Sequence, residues 1–376
     1  MHTIQVGTYP VFIGRDLIDR VGSLVQPKGR VFVITSTALR DRFGERVAAS
    51  FRDAVVLTME EGEAHKNLDT VNDLVTQLLD CGAKRDSMAV VVGGGVVGDT
   101  AGFAAAIFLR GIDLVHVPTT LLAQVDSALG GKTAVNHARG KNLIGAFHPP
   151  RAVITDIAAL DSLPRREMLS GVFEALKGGV IGDPELFALL EKSVTPSVSE
   201  GPGGAGGAQG APIAPPTRPG PSLTLGVTGN FDVEQVVLRA IRVKADIVSA
   251  DEKEADLRRL LNYGHTIGHG IEAALHYEQL THGEAVAWGM IAANAVAERR
   301  GLLDVATRRR IDDAIRAWQP APLPPLSAED IVSATEHDKK NTGSARIMVL
   351  PLQIGRCAVV EVTEEDIRFG IRALGL

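Results

Sequence analysis

Over its first half the chain alternates short β-branched runs with stretches of helical period. The runs at 31–34, 54–57, 89–92, 114–117 and 152–155 read as strands, and 38–51, 67–82, 98–109 and 119–126 read as helices. An alternating, strand-like pattern also begins at Met1-His2-Thr3-Ile4. Continuous apolar runs separated by helices bury both faces, which predicts a doubly wound, mostly parallel sheet of Rossmann-like type. Beyond about residue 165 the period becomes helical, through 166–180, 184–191, 233–250, 260–275 and 283–300. A short strand pair at 346–350 and 357–361 and a final helix close the pattern. The fold class expected is therefore α/β, with an N-terminal sheet over 1–165 followed by a mainly α-helical part over 166–376.

The length of 376 residues fits two such domains better than one core. Within the second lies a stretch at about 197–221, rich in Gly, Pro and Ala and without apolar period, which reads as a disordered insertion. Composition adds exclusions. A formal net charge of -6 argues against nucleic acid or an anionic membrane as the main partner, so an anionic substrate must be met by a local basic cluster. The apolar run from Met88 to Leu109 approaches membrane length, but Asp99 and several glycines make it a buried strand, turn and helix. Cys81 and Cys357 have neither metal nor redox spacing, and no leader-like segment opens the chain, so a cytoplasmic protein is expected.

Three histidines mark the candidate chemistry. His265 and His269 stand four residues apart and share one helix face, and His282 can approach from the start of the next helix beside Glu284. One histidine is ordinarily a cap or a satisfied core residue. Three in one glycine-spaced segment form a metal-site pattern, and with a carboxylate such a set leaves a coordination position open for Lewis-acid catalysis. Glu174, Glu272 and Glu284 are all candidates for that carboxylate. Gly93-Gly94-Gly95-Val96-Val97-Gly98-Asp99 follows a strand and opens a helix, where backbone N–H groups can meet phosphates. It matches the dinucleotide fingerprint only loosely. Arg110, Asp126, Lys132, Asn142, Lys177, Lys244, Arg258 and the pair Lys339-Lys340 interrupt apolar or glycine-rich segments. Glu174 and Lys177 share an apolar helix face, where a carboxylate needs a cationic partner. A substrate carrying both phosphate and carboxylate accounts for so many cations.

Taken together, the glycine turn, Arg110-Gly111, the run from Val117 to Asp126, Gly130-Gly131-Lys132, Gly140-Lys141-Asn142, Glu174-Ala175-Leu176-Lys177, the run from Leu261 to His269, His282-Gly283-Glu284 and His337-Asp338-Lys339-Lys340 resemble the 3-dehydroquinate synthase family over nearly the whole chain. The resemblance implies that Glu174, His265 and His282 bind a divalent metal, zinc or cobalt. It implies that Glu63, Lys66, Gly95, Asp99, Thr119 and Thr120 contact NAD. Lys177, His269, Lys244 and Asp126 are implied as catalytic, and Arg110, Lys132, Asn142, Arg258, Asn262 and Lys340 as substrate-binding. Arg110 would reach the phosphate from the neighbouring subunit of a homodimer. The implied reaction converts 3-deoxy-D-arabino-heptulosonate 7-phosphate, a phosphorylated sugar acid, to 3-dehydroquinate and phosphate in the shikimate pathway, with transient oxidation by NAD. The alternatives weighed are an aminodehydroquinate synthase, another sugar-phosphate cyclase, and a metal-dependent polyol dehydrogenase. Two positions depart from the family pattern: Ser36 stands where an Asp or Asn often meets the adenosine ribose, and Gly178 stands where an aromatic residue or histidine is common.

Overall fold

The structure is a computed structural model that describes residues 1–194, 231–251, 257–342 and 346–376, without the side chains of 336–342. The stretch read as a disordered insertion and the side chain of Lys340 lie outside the described residues. The strands are β1 (His2–Val6), β2 (Tyr9–Gly14), β3 (Val31–Ser36), β4 (Ala54–Met59), β5 (Met88–Gly93), β6 (Asp113–Pro118), β7 (Lys132–His137), β8 (Gly140–Phe147), β9 (Ala152–Asp156), β10 (Ile347–Gln353) and β11 (Arg356–Glu361). The helices are α1 (Val21–Leu24), α2 (Glu45–Ala49), α3 (Leu68–Asp80), α4 (Gly95–Ile107), α5 (Arg165–Gly182), α6 (Pro184–Val194), α7 (Val233–Ala250), α8 (His265–Ala274), α9 (His282–Arg299), α10 (Val305–Ala317), α11 (Ala328–Thr342) and α12 (Glu364–Arg372).

Seven strands form one sheet in the order β1-β2-β9-β6-β5-β3-β4. Only β1 runs antiparallel to its neighbour, so the sheet is mostly parallel, as the buried runs predict. Every residue of β3 and of β5 is buried, because α3 and α4 cover one face and α1 and α2 the other. From β3 the chain steps outward to β4 and then returns to the other side of β3 as β5. The turn after β5 therefore opens at the reversal of strand order, where ligands enter doubly wound sheets.

A third core joins β1, β2 and β9 to the helices after residue 165. Helix α5 is its axis: Met168 through Ile181 are all buried, and α6, α7 and α9 pack around it. Helices α8 and α9 cross closely through Gly264, Gly268 and Gly289. Among the described residues no helix is long and apolar enough to cross a membrane, and the run from Met88 resolves into β5, a turn and α4.

Several elements differ from the sequence reading. The helix expected at 38–51 is broken into a short turn, a widened turn over Arg40–Gly44 and α2, which turns Phe43 and Gly44 inward against Thr35. The helix expected at 119–126 is mostly a widened turn at Ala123–Ser127, started by Thr120 Oγ1 accepting from the Ala123 N–H. The stretch 260–275 divides at Gly264, whose left-handed backbone separates a short helix at Leu257–Asn262 from α8. The hairpin β7–β8 and helices α10 and α11 were not anticipated.

Candidate active site

The ends of β4, β5 and β6 meet α5, α7, α8 and α9 in a cleft where a row of alternating charges is buried. Lys244, on α7, donates from Nζ to Asp126 Oδ1 (2.6 Å) and to the Asp126 carbonyl (2.7 Å). Lys177 Nζ lies 3.9 Å from the same Oδ1 and 2.5 Å from Glu174 Oε2, one helical turn away on α5. Glu174 Oε1 lies 3.7 Å from His265 Nε2 and 3.5 Å from His282 Nε2. Beyond them, His282 Nδ1 donates to Glu272 Oε2 at 3.1 Å, and Lys141 Nζ donates to Glu272 Oε1 at 3.2 Å while standing 3.7 Å from Glu63 Oε1.

Helix geometry produces this convergence. His265 and His269 occupy successive turns of α8, with ring centroids 5.1 Å apart. His282 is the first residue of α9, set there by a capping box in which Thr281 and Glu284 bond each other's backbone N–H groups. Glu284 also binds Arg166 at 2.9 Å, so this carboxylate is a cap and a salt-bridge partner and is turned away from metal ligation. Glu272 proves to be the carboxylate behind His282. The nitrogens of His265, His269 and His282 lie within 4.8 Å of one another, the group of metal-type donors that geometry alone picks out among the described residues.

The electrostatics favour a cation beside Glu174. Its carboxylate is fully buried; Oε2 is paired with the Lys177 ammonium, whereas Oε1 has only the two imidazoles near it, at 3.5 and 3.7 Å. Burial, the largest single influence, would raise its pKa, but Lys177, His282 and His265 together outweigh it and hold it down at about 2. Burial likewise opposes the charge on Asp126, yet Lys244 and Lys177 keep it well below the usual carboxylate range. Lys177 stays a cation, because Glu174 and Asp126 overcome its desolvation; Lys244 is pushed the other way, its burial exceeding the help of Asp126. Burial also opposes charge on His282, but Glu174 and Glu272 raise it to about 10. His265 falls well below the ordinary value through burial and Lys177. Its Nδ1 faces the Tyr263 carbonyl at 3.2 Å, which leaves Nε2 as the free ligand atom.

Beside this row the glycine turn forms a cradle. A side chain at Gly93 would lie 2.7 Å from Val97 Cβ, one at Gly94 3.0 Å from Thr120 Cγ2, and one at Gly95 3.2 Å from Ser127 Oγ. The N-cap of α4, Gly94, carries no capping side chain, so the first N–H groups are open to a phosphate. Lys66 Nζ donates to Asp99 Oδ2 at 2.6 Å in the first turns of α4, Asn136 donates to Glu63 at 2.7 Å, and the Thr119 N–H bonds the Gly93 carbonyl at 3.0 Å. Ser36, buried at the end of β3, points its hydroxyl at Glu61, 3.5 Å away.

The remaining residues spread around the rim. Arg258 is buried and donates to the Gly130 carbonyl at 3.0 Å. Lys132 and Asn262 are exposed, as is Asn142, whose backbone φ of 56° is left-handed and whose N–H donates to Asn136. Arg110 is exposed after α4, also left-handed at φ 72°. Two members of the row were not assigned a role from sequence. Lys141 stood within the Gly140-Lys141-Asn142 motif, and Glu272 was weighed only as a ligand.

Comparison with known proteins identifies the family. Residues 56–170 match the family model described as 3-dehydroquinate synthase N-terminal, and residues 224–341 match that described as 3-dehydroquinate synthase C-terminal. The 3-dehydroquinate synthase of Koribacter versatilis is 39% identical over 99% of this chain and 96% of its own. Among solved structures, a 2-deoxy-scyllo-inosose synthase complexed with carbaglucose-6-phosphate, NAD+ and Co2+ superposes with a TM-score of 0.80 at 28% identity, over 99% of each chain. A 2-epi-5-epi-valiolone synthase from Streptomyces hygroscopicus with NAD+ and Zn2+ bound gives a TM-score of 0.82 at 26% identity, over 100% of this chain and 99% of that one. With both family models matched in order and the curated relative aligned almost end to end, the chain belongs to the 3-dehydroquinate synthase family.

Proposed function

We propose that this chain is a 3-dehydroquinate synthase in which Glu174, His265 and His282 hold one divalent ion and the glycine turn seats NAD. The observation that carries the ligand set is the environment of Glu174. Oε2 is paired with the Lys177 ammonium, but the buried Oε1 has no close donor and stands 3.5 and 3.7 Å from two imidazole Nε2 atoms. Ligands about 2.1 Å from a tetrahedral ion are separated by roughly 3.4 Å, close to these two edges. His269 completes the imidazole trio and is left for the substrate. For the nucleotide, the open start of α4 receives the pyrophosphate, and Asp99, Lys66, Glu63, Thr119 and Thr120 surround it.

When bound, NAD supplies a reversible hydride acceptor and the ion a Lewis acid for transient oxidation of the heptulosonate phosphate at its C5 hydroxyl. The chain's own residues position the rest. Lys177 is a fixed cation and hydrogen-bond donor at the reacting centre, held by Glu174 and Asp126. His269 moves a proton at the neighbouring hydroxyl, and Lys244, whose burial eases deprotonation, lies behind Asp126. Arg258, Lys132, Asn262, Asn142 and Lys340 clamp the anionic ends, and Arg110 reaches the phosphate from the second copy of a homodimer. Phosphate leaves by elimination once the adjacent C–H is acidified, and ring closure follows in the same site. The sheet over 1–165 is the nucleotide domain and the part from 166 the metal and substrate domain of a cytoplasmic enzyme.

The test is incubation of metal-loaded protein with the heptulosonate phosphate and NAD. Catalytic phosphate release without net NADH is expected; NADH accumulating without phosphate would identify a dehydrogenase. His265→Ala should abolish retention of the ion, and unchanged metal content in that variant would overturn the ligand set.

A further inference from the structure

We infer that Glu272 is a positioning residue for the reaction, acting through His282, and that Lys141 holds it there. The inference rests on the ligand set proposed above and extends it to the groups behind one ligand. A histidine that binds an ion through Nε2 must present the right tautomer and ring rotation, and the partner of its other nitrogen sets both. The two proposed histidine ligands are backed differently. His265 Nδ1 meets a neutral backbone carbonyl, that of Tyr263, at 3.2 Å. His282 Nδ1 meets the Glu272 carboxylate at 3.1 Å. A carboxylate can only accept, so Nδ1 carries the proton and Nε2 is turned toward Glu174. A charged acceptor also makes the imidazole more electron-rich than a carbonyl does.

Glu272 is itself fixed. Its side chain is 3% exposed, and its second oxygen accepts from Lys141 Nζ at 3.2 Å. Lys141 belongs to β8, on the far side of the cleft, and its ammonium also lies 3.7 Å from Glu63 Oε1 and 4.4 Å from the centre of the Tyr277 ring. Three partners from separate elements leave that ammonium little freedom. The line Glu63, Lys141, Glu272, His282 thus ties the nucleotide side of the cleft to a metal ligand. The carboxylate supplies orientation, and the lysine keeps it from turning away or taking the proton outright.

The experiment measures binding of Co2+ to the full-length apoprotein by competition with a chelator, together with the visible absorption of the bound ion, which reports its ligand geometry. Glu272→Ala should weaken Co2+ binding by about 10- to 100-fold, the usual effect of deleting a partner behind a metal-bound histidine. Glu272→Gln, which keeps an acceptor oxygen at nearly the same place, should recover most of that loss and a near wild-type spectrum. Lys141→Met should weaken binding by a smaller factor, and its effect should vanish in the Glu272→Ala background. Co2+ binding by Glu272→Ala within twofold of wild type, or equal losses in the Ala and Gln variants, would overturn the inference. His282→Ala separates the two readings: loss of Co2+ there with full binding in Glu272→Ala refutes the positioning role alone, whereas retention in His282→Ala refutes the ligand set. Should Glu272→Ala fail to fold, the Gln variant's spectrum and the Lys141→Met titration still decide, since an unchanged affinity in Lys141→Met contradicts the proposed clamp.

Discussion

Replacing Gly289 by alanine should disarm the site without touching any charged group. Gly289 lies on α9, where a Cβ would stand 1.9 Å from the Gly264 carbonyl oxygen and 2.7 Å from the Gly268 nitrogen of α8. Ordinary carbon–oxygen contact is about 3.4 Å, so the helices must separate by roughly 1.5 Å at that point, and backbone rather than a flexible side chain has to yield. These two helices carry His265 and His282, whose rings are 5.2 Å apart. A shift of that size exceeds the tolerance of a shared ion, whose ligand distances hold to about 0.2 Å. Overpacking of this kind costs about 1–3 kcal/mol, and the backbone contact puts it at the upper end. Thermal unfolding of the apoprotein and Co2+ titration read the two effects separately. Gly178→Ala is the control on the next helix: its Cβ would meet Leu186 Cδ2 at 3.6 Å, an ordinary contact. Inside α5 that change should be neutral or stabilise by about 0.5–1 kcal/mol, so the departure at Gly178 costs the site no space. Wild-type melting and wild-type ion affinity in Gly289→Ala would refute the reasoning.

If Arg110 serves the partner's site, inactive Arg110→Ala and Lys177→Ala proteins, mixed and allowed to exchange subunits, should regain about a quarter of the wild-type sites; no regain after verified exchange would place Arg110 in its own subunit's site. His116, buried beneath α4, is pushed down to about 4 by burial and by His148. Its folded pKa is depressed, so the unfolded chain takes the proton first and stability is lost as pH falls from 6.5 toward 4, by about 2.5 kcal/mol at pH 4.5. Denaturant titration of His116→Gln should show a flatter acid limb, and parallel limbs for the two proteins would contradict this account.

The parallel sheet was legible because β3, β5, β6 and β9 are continuous buried runs, a signal that needs no knowledge of neighbours. The hairpin β7–β8 was not, since its strands are half-exposed, carry glycines and pack on α4 by one face only. Helix α10 hides its apolar stripe, Ile311, Ala314 and Ile315, among arginines. At the site, residue types were legible and partnerships were not. Glu174, His265 and His282 come from three helices, so spacing along the chain carries no information about which carboxylate joins the imidazoles. Glu284 is legible as a cap, because Thr281 three residues before it is the signature of a capping box. Glu272 has no such signature; only the approach of Lys141 and of His282 Nδ1 from other elements gives it a role.

The buried row also explains why so many charges occupy one cleft. Asp126, Glu174 and Glu272 alternate with Lys244, Lys177 and Lys141, and these six cancel. Such an array contributes little to stability, since desolvation consumes most of the attraction and apolar side chains would pack as well. What it provides is fixed dipoles that need no rearrangement when charge develops in the substrate. A divalent ion held by Glu174 and the histidines, as proposed, would add two positive charges to these six, with buried Arg258 a further positive charge and Glu63, beside Lys141, one negative charge nearby. That excess suits a substrate bearing both a phosphate and a carboxylate, and it would gain a neutral polyol almost nothing. The charge pattern therefore favours the cyclase over a dehydrogenase of similar fold, independently of the identity to any relative.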